Sequence, residues 1–119
     1  MHTVNGALSE MLGTPGVIGV ALVDAVTGLT YGTAGDQAAT GDGVELSDLA
    51  TLITDRLHEA GATGELENVI VTSARRHHVV QVVPRQGDAV LLAVSLDRDR
   101  TNLALAVRQT AEYARDVLS

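Results

Sequence analysis

Four residue types are absent from this 119-residue sequence: cysteine, lysine, phenylalanine and tryptophan. Without cysteine, the chain has no disulfide framework, no thiolate zinc site and no cysteine nucleophile. Without phenylalanine or tryptophan, and with only two tyrosines, it offers no aromatic platform on which nucleic-acid bases stack. The apolar residues, which make up 45% of the chain, must therefore build an aliphatic core.

The charge balance makes two classes of partner unfavourable. All eight basic residues are arginine, and the formal net charge is −7, which disfavours binding to phosphate backbones and to anionic membranes. No apolar run approaches membrane-spanning length, and the start of the chain lacks a basic segment followed by an apolar core. We expect a cytoplasmic protein that binds no nucleic acid and does not insert into membranes.

Two stretches are apolar on both alternating faces: Val17–Val23 and Ala89–Leu96. A strand of this kind must be covered on both sides, so both are predicted to lie at the centre of a sheet between layers of helices. The length fits one hydrophobic core and not two. We therefore predict a single domain over residues 1–119.

The remaining elements follow from spacing, with helices where apolar residues recur every three or four positions and strands in β-branched or alternating segments. The predicted set is helix Val4–Leu12 capped by Thr3, strand Leu29–Thr33, helix Val44–Ala60, strands Asn68–Ser73 and His77–Val83, and helix Thr101–Leu118. A loop is predicted over Ala34–Gly43 and a turn at Arg75 and Arg76. The order is helix, two strands, helix, three strands, helix, which indicates an α+β protein.

The middle helix has more than one usable face. Its apolar stripe, predicted to cover the chain's own sheet, consists of Leu46, Leu49, Ala50, Ile53, Leu57 and Ala60. Leu52 lies about 110° away from that stripe, and the opposite flank carries the short side chains Ser47, Thr51 and Thr54. Either flank could receive a neighbouring molecule.

The histidines and serines are the candidate reactive groups. His77 and His78 are adjacent in a predicted strand, so they face opposite sides and cannot chelate one ion without a bulge. Ser73, Ser95 and His58 fall on different elements, which gives no designed nucleophile–base pair. We predict structural roles for these residues, with no catalytic residue, metal site or cofactor.

The charged run Asp97–Arg100 has two interpretations. It could form a cluster of catalytic carboxylates, but an alternating run of this kind is more typical of a solvated helix entrance. In that position Asp99 or Thr101 would cap the last helix, and the helix dipole would favour the acidic groups. We therefore do not predict an enzyme.

Four segments taken in order resemble the roadblock / dynein light chain family, in particular its small stand-alone actinobacterial members: Pro15–Asp24, Thr27–Leu29, Asn68–Thr72 and Leu96–Ala106. No single motif is diagnostic, and the resemblance rests on the order of all four over nearly the whole chain. It implies a five-stranded antiparallel sheet in the order 2-1-5-4-3, close to profilin-like folds. The middle helix would cover one face, and the first and last helices the other.

The resemblance also implies a homodimer. Family members join two third-strand edges into one long sheet and place their middle helices side by side; pairing also protects an exposed β-branched edge from aggregation. Carried onto this sequence, the interface would include Ser47, Thr51, Leu52 and Thr54 of the helix and Val69, Ile70, Val71, Thr72 and Ser73 of the strand.

The function implied is that of a platform for small Ras-like GTPases, since the gliding-motility roadblock protein acts as an activating partner. No arginine finger is assigned; Arg56, Arg75 and Arg76 are only exposed candidates. One alternative is a small-molecule sensor of profilin-like topology. A buried cavity above roughly 300 Å³ would favour the sensor, although the small-residue core argues against a roomy, aromatic-lined pocket. The other alternative is a purely structural dimer or scaffold.

Overall fold

The computed structural model describes residues 3–117. The helices in this part of the chain are α1 (Val4–Met11), α2 (Gln37–Thr40), α3 (Gly43–Glu59) and α4 (Leu103–Val117), with a 3-10 turn at Arg98–Arg100. The strands are β1 (Val17–Asp24), β2 (Thr30–Gly35), β3 (Asn68–Thr72), β4 (Arg76–Val83) and β5 (Val90–Asp97). They form one antiparallel sheet in the order β2-β1-β5-β4-β3, which confirms the predicted architecture.

The two strands that are apolar on both faces are neighbours at the centre of the sheet, as predicted. Their side chains divide by alternation between two clusters. The cluster beneath α1 and α4 contains Val20, Leu22, Val90, Leu92, Val94 and Leu96. The cluster on the α3 face contains Ala21, Val23, Leu91 and Ala93. Because both faces of these strands are covered, the centre of the sheet is the best-buried part of the described chain.

The helix caps agree with the prediction at α1 and differ at α4. Thr3 accepts the amide hydrogen of Gly6 at 2.9 Å, as an N-cap does. The prediction of Asp99 or Thr101 as the cap of α4 is wrong. A 3-10 turn capped by Asp97 precedes the helix, so α4 begins only at Leu103. The side chain of Asn102 caps it by accepting the amide hydrogen of Leu105 at 3.1 Å.

The segment predicted as a loop over Ala34–Gly43 contains the short helix α2. Asp36 caps it by accepting the amide hydrogen of Ala38 at 3.0 Å. A helix of four residues is too short to show a hydrophobic period, so spacing alone could not reveal it. Thr40 at its end is buried on the same side of the sheet as α3.

Several strand ends are displaced by one or two residues from their predicted positions. β2 starts and ends later than Leu29–Thr33, since Leu29 still belongs to the turn, where its carbonyl accepts the amide hydrogen of Asp24 at 2.8 Å. β3 ends one residue before Ser73, whose amide donates to the carbonyl of Arg76 at 2.9 Å and closes a tight turn. Arg76 is therefore the first residue of β4 and not a turn residue.

Only the first half of α3 packs firmly on the sheet. Leu46 and Ala50 are buried in the α3-face cluster, whereas no residue from Thr51 to Glu59 is fully buried. Leu57, predicted to face the sheet, is 40% exposed. The prediction for the apolar stripe is thus correct as far as Ile53, which is half-buried, and wrong for Leu57 and Ala60, which are exposed. This end of the helix leaves an open surface beside the sheet.

Candidate functional site

The free edge of β3 is the first candidate surface. β3 pairs with β4 on one side only and ends the sheet. Ile70 is 42% exposed and Val71 is 46% exposed, and as adjacent strand residues they face opposite sides of the sheet. Val69 is half-buried against the α3-face cluster. An edge with exposed β-branched side chains is a ready template for pairing with another strand.

The last two strand residues predicted for an interface are held within the chain. The Thr72 hydroxyl lies 2.8 Å from Nδ1 of His77 on the neighbouring strand. Ser73 lies beyond the strand, in the turn to β4, and its carbonyl accepts a hydrogen bond from Arg98 at 3.1 Å. The open part of the edge is therefore centred on Ile70 and Val71.

The predicted helix residues divide into exposed and internal positions. Leu52 is 50% exposed on the outer side of α3. Ser47 is buried, and its hydroxyl donates to the carbonyl of Ala25 at 2.6 Å, with the carbonyl of Val26 at 3.2 Å. Ser47 therefore anchors α3 to the turn after β1 and contributes no open surface. The expectation that it lies on a flank open to a neighbouring molecule is wrong.

The other two short side chains of that flank line a groove. The groove runs between the second half of α3 and the sheet end formed by β4 and β5, with a volume of about 900 Å³. Its lining residues are Ala25, Ala50, Thr51, Thr54, Asp55, His58, Glu65, Leu66, Glu67, Gln81, Val82, Pro84, Ala89 and Leu91. The groove is larger than the small-residue core led us to expect, and no phenylalanine, tyrosine or tryptophan lines it. It is bordered by exposed side chains, so it is not the buried cavity expected of a sensor.

A hydrogen-bonded cluster that spacing did not predict joins two turns at one end of the sheet. One carboxylate oxygen of Asp24 accepts the amide hydrogens of Val26 and Thr27, both at 2.9 Å. The Tyr31 hydroxyl donates to the other oxygen at 3.1 Å. Arg85 donates to the Tyr31 hydroxyl at 2.9 Å, and its guanidinium lies 5.2 Å from the centre of the tyrosine ring.

These contacts lower the pKa of Asp24 below its ordinary value. The amide hydrogen bonds from Thr27 and then Val26 contribute most, burial opposes them, and the Tyr31 hydroxyl adds a smaller stabilisation of the charged form. Arg85 also lies 3.5 Å from the same carboxylate. The sequence signal was an aspartate followed three residues later by threonine and glycine, which is typical of a side-chain-capped turn.

The adjacent histidines lie on opposite faces of β4, as predicted. His77 is buried beside Thr72, whereas His78 is half-buried on the α3 face near Val71. Burial lowers the pKa of His78, and the positive charges of Arg76 and His77 lower it further. Within residues 3–117, histidine and carboxylate side chains do not gather in groups of three or more that could hold a metal ion.

The serines and His58 stay apart. The Ser95 hydroxyl is fully buried and has no hydrogen-bond partner, Ser73 bonds to its own turn, and His58 lines the groove. The described chain brings no serine hydroxyl into a hydrogen bond with a histidine. None of its helices, over the residues described, is long and apolar enough to cross a membrane.

The sheet order and helix placement define an α+β protein built on a five-stranded antiparallel sheet. Within that class, the chain has the fold of the roadblock/LC7 domain. Such a domain from Streptomyces avermitilis is 18% identical, with a TM-score of 0.77 over 98% of this chain and 95% of that one. No protein-family model matches the sequence, and no match is found among curated proteins.

Two MglB proteins share this fold. MglB of Myxococcus xanthus is 24% identical, with a TM-score of 0.74 over 97% of this chain and 90% of that one. The gliding protein MglB of Thermus thermophilus is 16% identical, with a TM-score of 0.73 over 97% and 84% of the two chains. At these identities the likeness establishes the fold.

Proposed function

We propose that this protein is a non-catalytic homodimeric regulator or scaffold that binds a small Ras-like GTPase. The observation that carries the proposal is the open β3 edge, together with the exposed leucines of α3. Ile70 and Val71 on the strand, and Leu52 and Leu57 on the helix, are all at least 40% exposed. Burying these aliphatic groups between two copies would be favourable, and pairing two β3 edges would satisfy their free backbone groups.

The contacts within the chain support one choice of helix flank for the proposed meeting with its twin. Ser47 is hydrogen-bonded within the chain, and Thr51 and Thr54 line the groove. The flank of small residues is therefore not a free helix surface. Leu52 remains as an exposed apolar side chain on the outer surface of the helix. We therefore assign the helix contact to the Leu52 side, with Val69 to Thr72 forming the paired strand.

The fold supports an assembly of this class. One MglB structure that shares the fold, with a TM-score of 0.71 and 16% identity, is described as having a tetrameric arrangement. The GTPase partner is proposed from the roadblock resemblance of the sequence. A regulator of this kind needs no cofactor of its own and would act in the cytoplasm, beside its GTPase.

The test is a Val71→Asp variant, with Val26→Asp as the matched control. Val26 is also an exposed valine, but it lies in the turn after β1. We expect sedimentation to show a dimer for the wild type and for Val26→Asp, and a monomer for Val71→Asp, because a carboxylate at the pairing edge would be desolvated without a partner. Both variants should keep the wild-type circular dichroism spectrum.

The same proteins are then titrated with a small Ras-like GTPase of the same organism, loaded with GDP or with a GTP analogue. The wild type and Val26→Asp should bind it, with affinity that depends on the nucleotide, and Val71→Asp should bind at least tenfold more weakly. A monomeric wild type at micromolar concentration would rule out the dimer. Absence of binding in both nucleotide states would rule out the GTPase partner.

A further inference from the structure

We propose that the groove beside α3 binds a basic peptide segment of a partner protein, with aliphatic side chains on its floor and arginine or lysine side chains at its rim. Leu52, Ile70 and Val71, which carry the proposed dimer, do not line the groove. The proposal is therefore independent of the GTPase and of the paired β3 edge. It rests on the shape of the groove, its helix wall and its charge.

The floor of the groove is aliphatic. Ala50 and Leu91 are buried at its base, and Leu66 and Val82 are half-buried beside them. The volume of about 900 Å³ is enough for several side chains, since ligand pockets typically measure about 300–1,000 Å³. Aliphatic side chains of an extended segment would remove this floor from water, which is the main favourable term in peptide docking.

The helix wall explains why the groove stays open. Thr51, Thr54, Asp55 and His58 follow the spacing i, i+3, i+4, i+7, so they share one flank of α3. Aliphatic residues at these positions would be expected to close onto the sheet. The Thr51 hydroxyl, the Asp55 carboxylate and the His58 imidazole instead belong to exposed residues, whereas the Thr54 hydroxyl donates to the Ala50 carbonyl at 2.8 Å. This wall can hydrogen-bond the backbone of a peptide lying against it.

The charge of the groove selects a basic occupant. Its charged lining groups are the carboxylates of Asp55, Glu65 and Glu67, all exposed, and no arginine lines it. The nearest arginine on the helix, Arg56, pairs with Glu59 at 3.0 Å, and Arg85 is held by the Asp24 cluster. Carboxylates accept paired hydrogen bonds from guanidinium groups.

A second copy of this chain is a poor occupant of the groove. Each copy carries eight basic residues against fifteen acidic ones, so a second copy offers the acidic rim less complementary charge than a basic segment, which is attracted and steered. The groove is also open along its side and bordered by separated carboxylates, which suits a strand of residues better than one compact ligand. We therefore assign it to a peptide segment.

The probe is a short fluorescent peptide of alternating leucine and arginine, compared with the same peptide carrying glutamate in place of arginine. The test variant is Glu65→Gln with Glu67→Gln, and the matched control is Glu45→Gln with Asp48→Asn. The control removes two exposed carboxylates from α3 outside the groove, so both pairs change the net charge equally. Anisotropy should show binding of the arginine peptide only.

We expect the groove pair to weaken binding about tenfold, equivalent to about 1.4 kcal/mol, and the control pair to weaken it less than twofold. Thr51→Arg, which places a cation in the helix wall, should abolish binding. Ser9→Arg, which adds the same charge on the exposed side of α1, should weaken it only slightly.

Several outcomes would overturn the proposal. Equal weakening by the two carboxylate pairs would mean a response to net charge alone. Equal binding of the arginine and glutamate peptides, or binding of neither, would remove the basic occupant. A groove pair that changes the oligomeric state in sedimentation would assign the groove to a second copy of the chain.

Discussion

At the scale of single residues, Asp24 does the most to fix local geometry. Its carboxylate is an acceptor for two backbone amides of its own turn and for the Tyr31 hydroxyl, and Arg85 approaches from the turn between β4 and β5. Arg85 is distant in the sequence from Asp24 and Tyr31, and the sheet brings it to them. Their contacts link the turns at one end of the sheet and thereby position the Ala25 carbonyl that Ser47 binds.

Because its pKa is lowered in the folded state, Asp24 should make stability depend on pH. The folded state holds the charged form more strongly than the unfolded chain, whose aspartates titrate near 3.8. The stabilisation is therefore present above that value and is lost as the pH falls through the lower folded pKa. Urea unfolding of the wild type should show a larger loss of stability between pH 7 and pH 3 than Asp24→Asn.

Asp48→Asn is the control for this experiment, since it removes an exposed carboxylate of the same type from α3. Its pH profile should follow that of the wild type. If Asp24→Asn also followed the wild type, the carboxylate would not be contributing through its charge.

At the scale of elements, α3 shows what sequence spacing can and cannot predict. The apolar stripe correctly predicted the helix, because a period of 3.6 residues is a local property. It could not predict where the sheet beneath the helix ends, so Leu57 was assigned to the core although it is exposed. Likewise, small side chains such as Ser47 fit either a close helix contact or an internal hydrogen bond, and only the tertiary structure distinguishes them.

The central strands could be predicted because their signal lies within each strand's own sequence. In β1 and β5, apolar residues occupy both alternating faces, and the predicted position of these strands at the centre of the sheet is confirmed. The groove was not predictable, because its lining comes from five separate stretches of the chain. Its one local signal is the polar stripe that begins at Thr51, and such a stripe is equally typical of a helix face exposed to solvent.

The attachment of α3 to the β1 turn can be tested at Ser47. Ser47→Ala removes the donor to the Ala25 carbonyl and leaves a part-buried acceptor unpaired, which should lower the free energy of unfolding by about 1 to 2 kcal/mol. Thr51→Ala, one turn further on and exposed, should change it by less than about 0.5 kcal/mol. Urea unfolding of both variants provides the comparison, and equal effects would contradict the proposed anchoring role.

At the scale of the whole molecule, the two faces and the two edges of the sheet are unequal. α1 and α4 together cover one face, whereas α3 packs over only part of the other. Of the edges, β2 carries glycine, threonine and alanine, with Tyr31 tied to Asp24, while β3 presents Ile70 and Val71 to solvent. This asymmetry suits a molecule that pairs through one edge and leaves the other end of the sheet free.

Hydrogen exchange measured at several protein concentrations tests that asymmetry along the whole chain. If two β3 edges pair, the outward amides of β3 should exchange rapidly in dilute protein and become protected as the dimer forms, because each gains a backbone acceptor. The outward amides of β2 are the internal control and should exchange at the same rate throughout. β1 and β5 should remain the slowest at every concentration, since they lie at the centre of the sheet. Protection of β2 with rising concentration, or none at β3, would move the interface elsewhere.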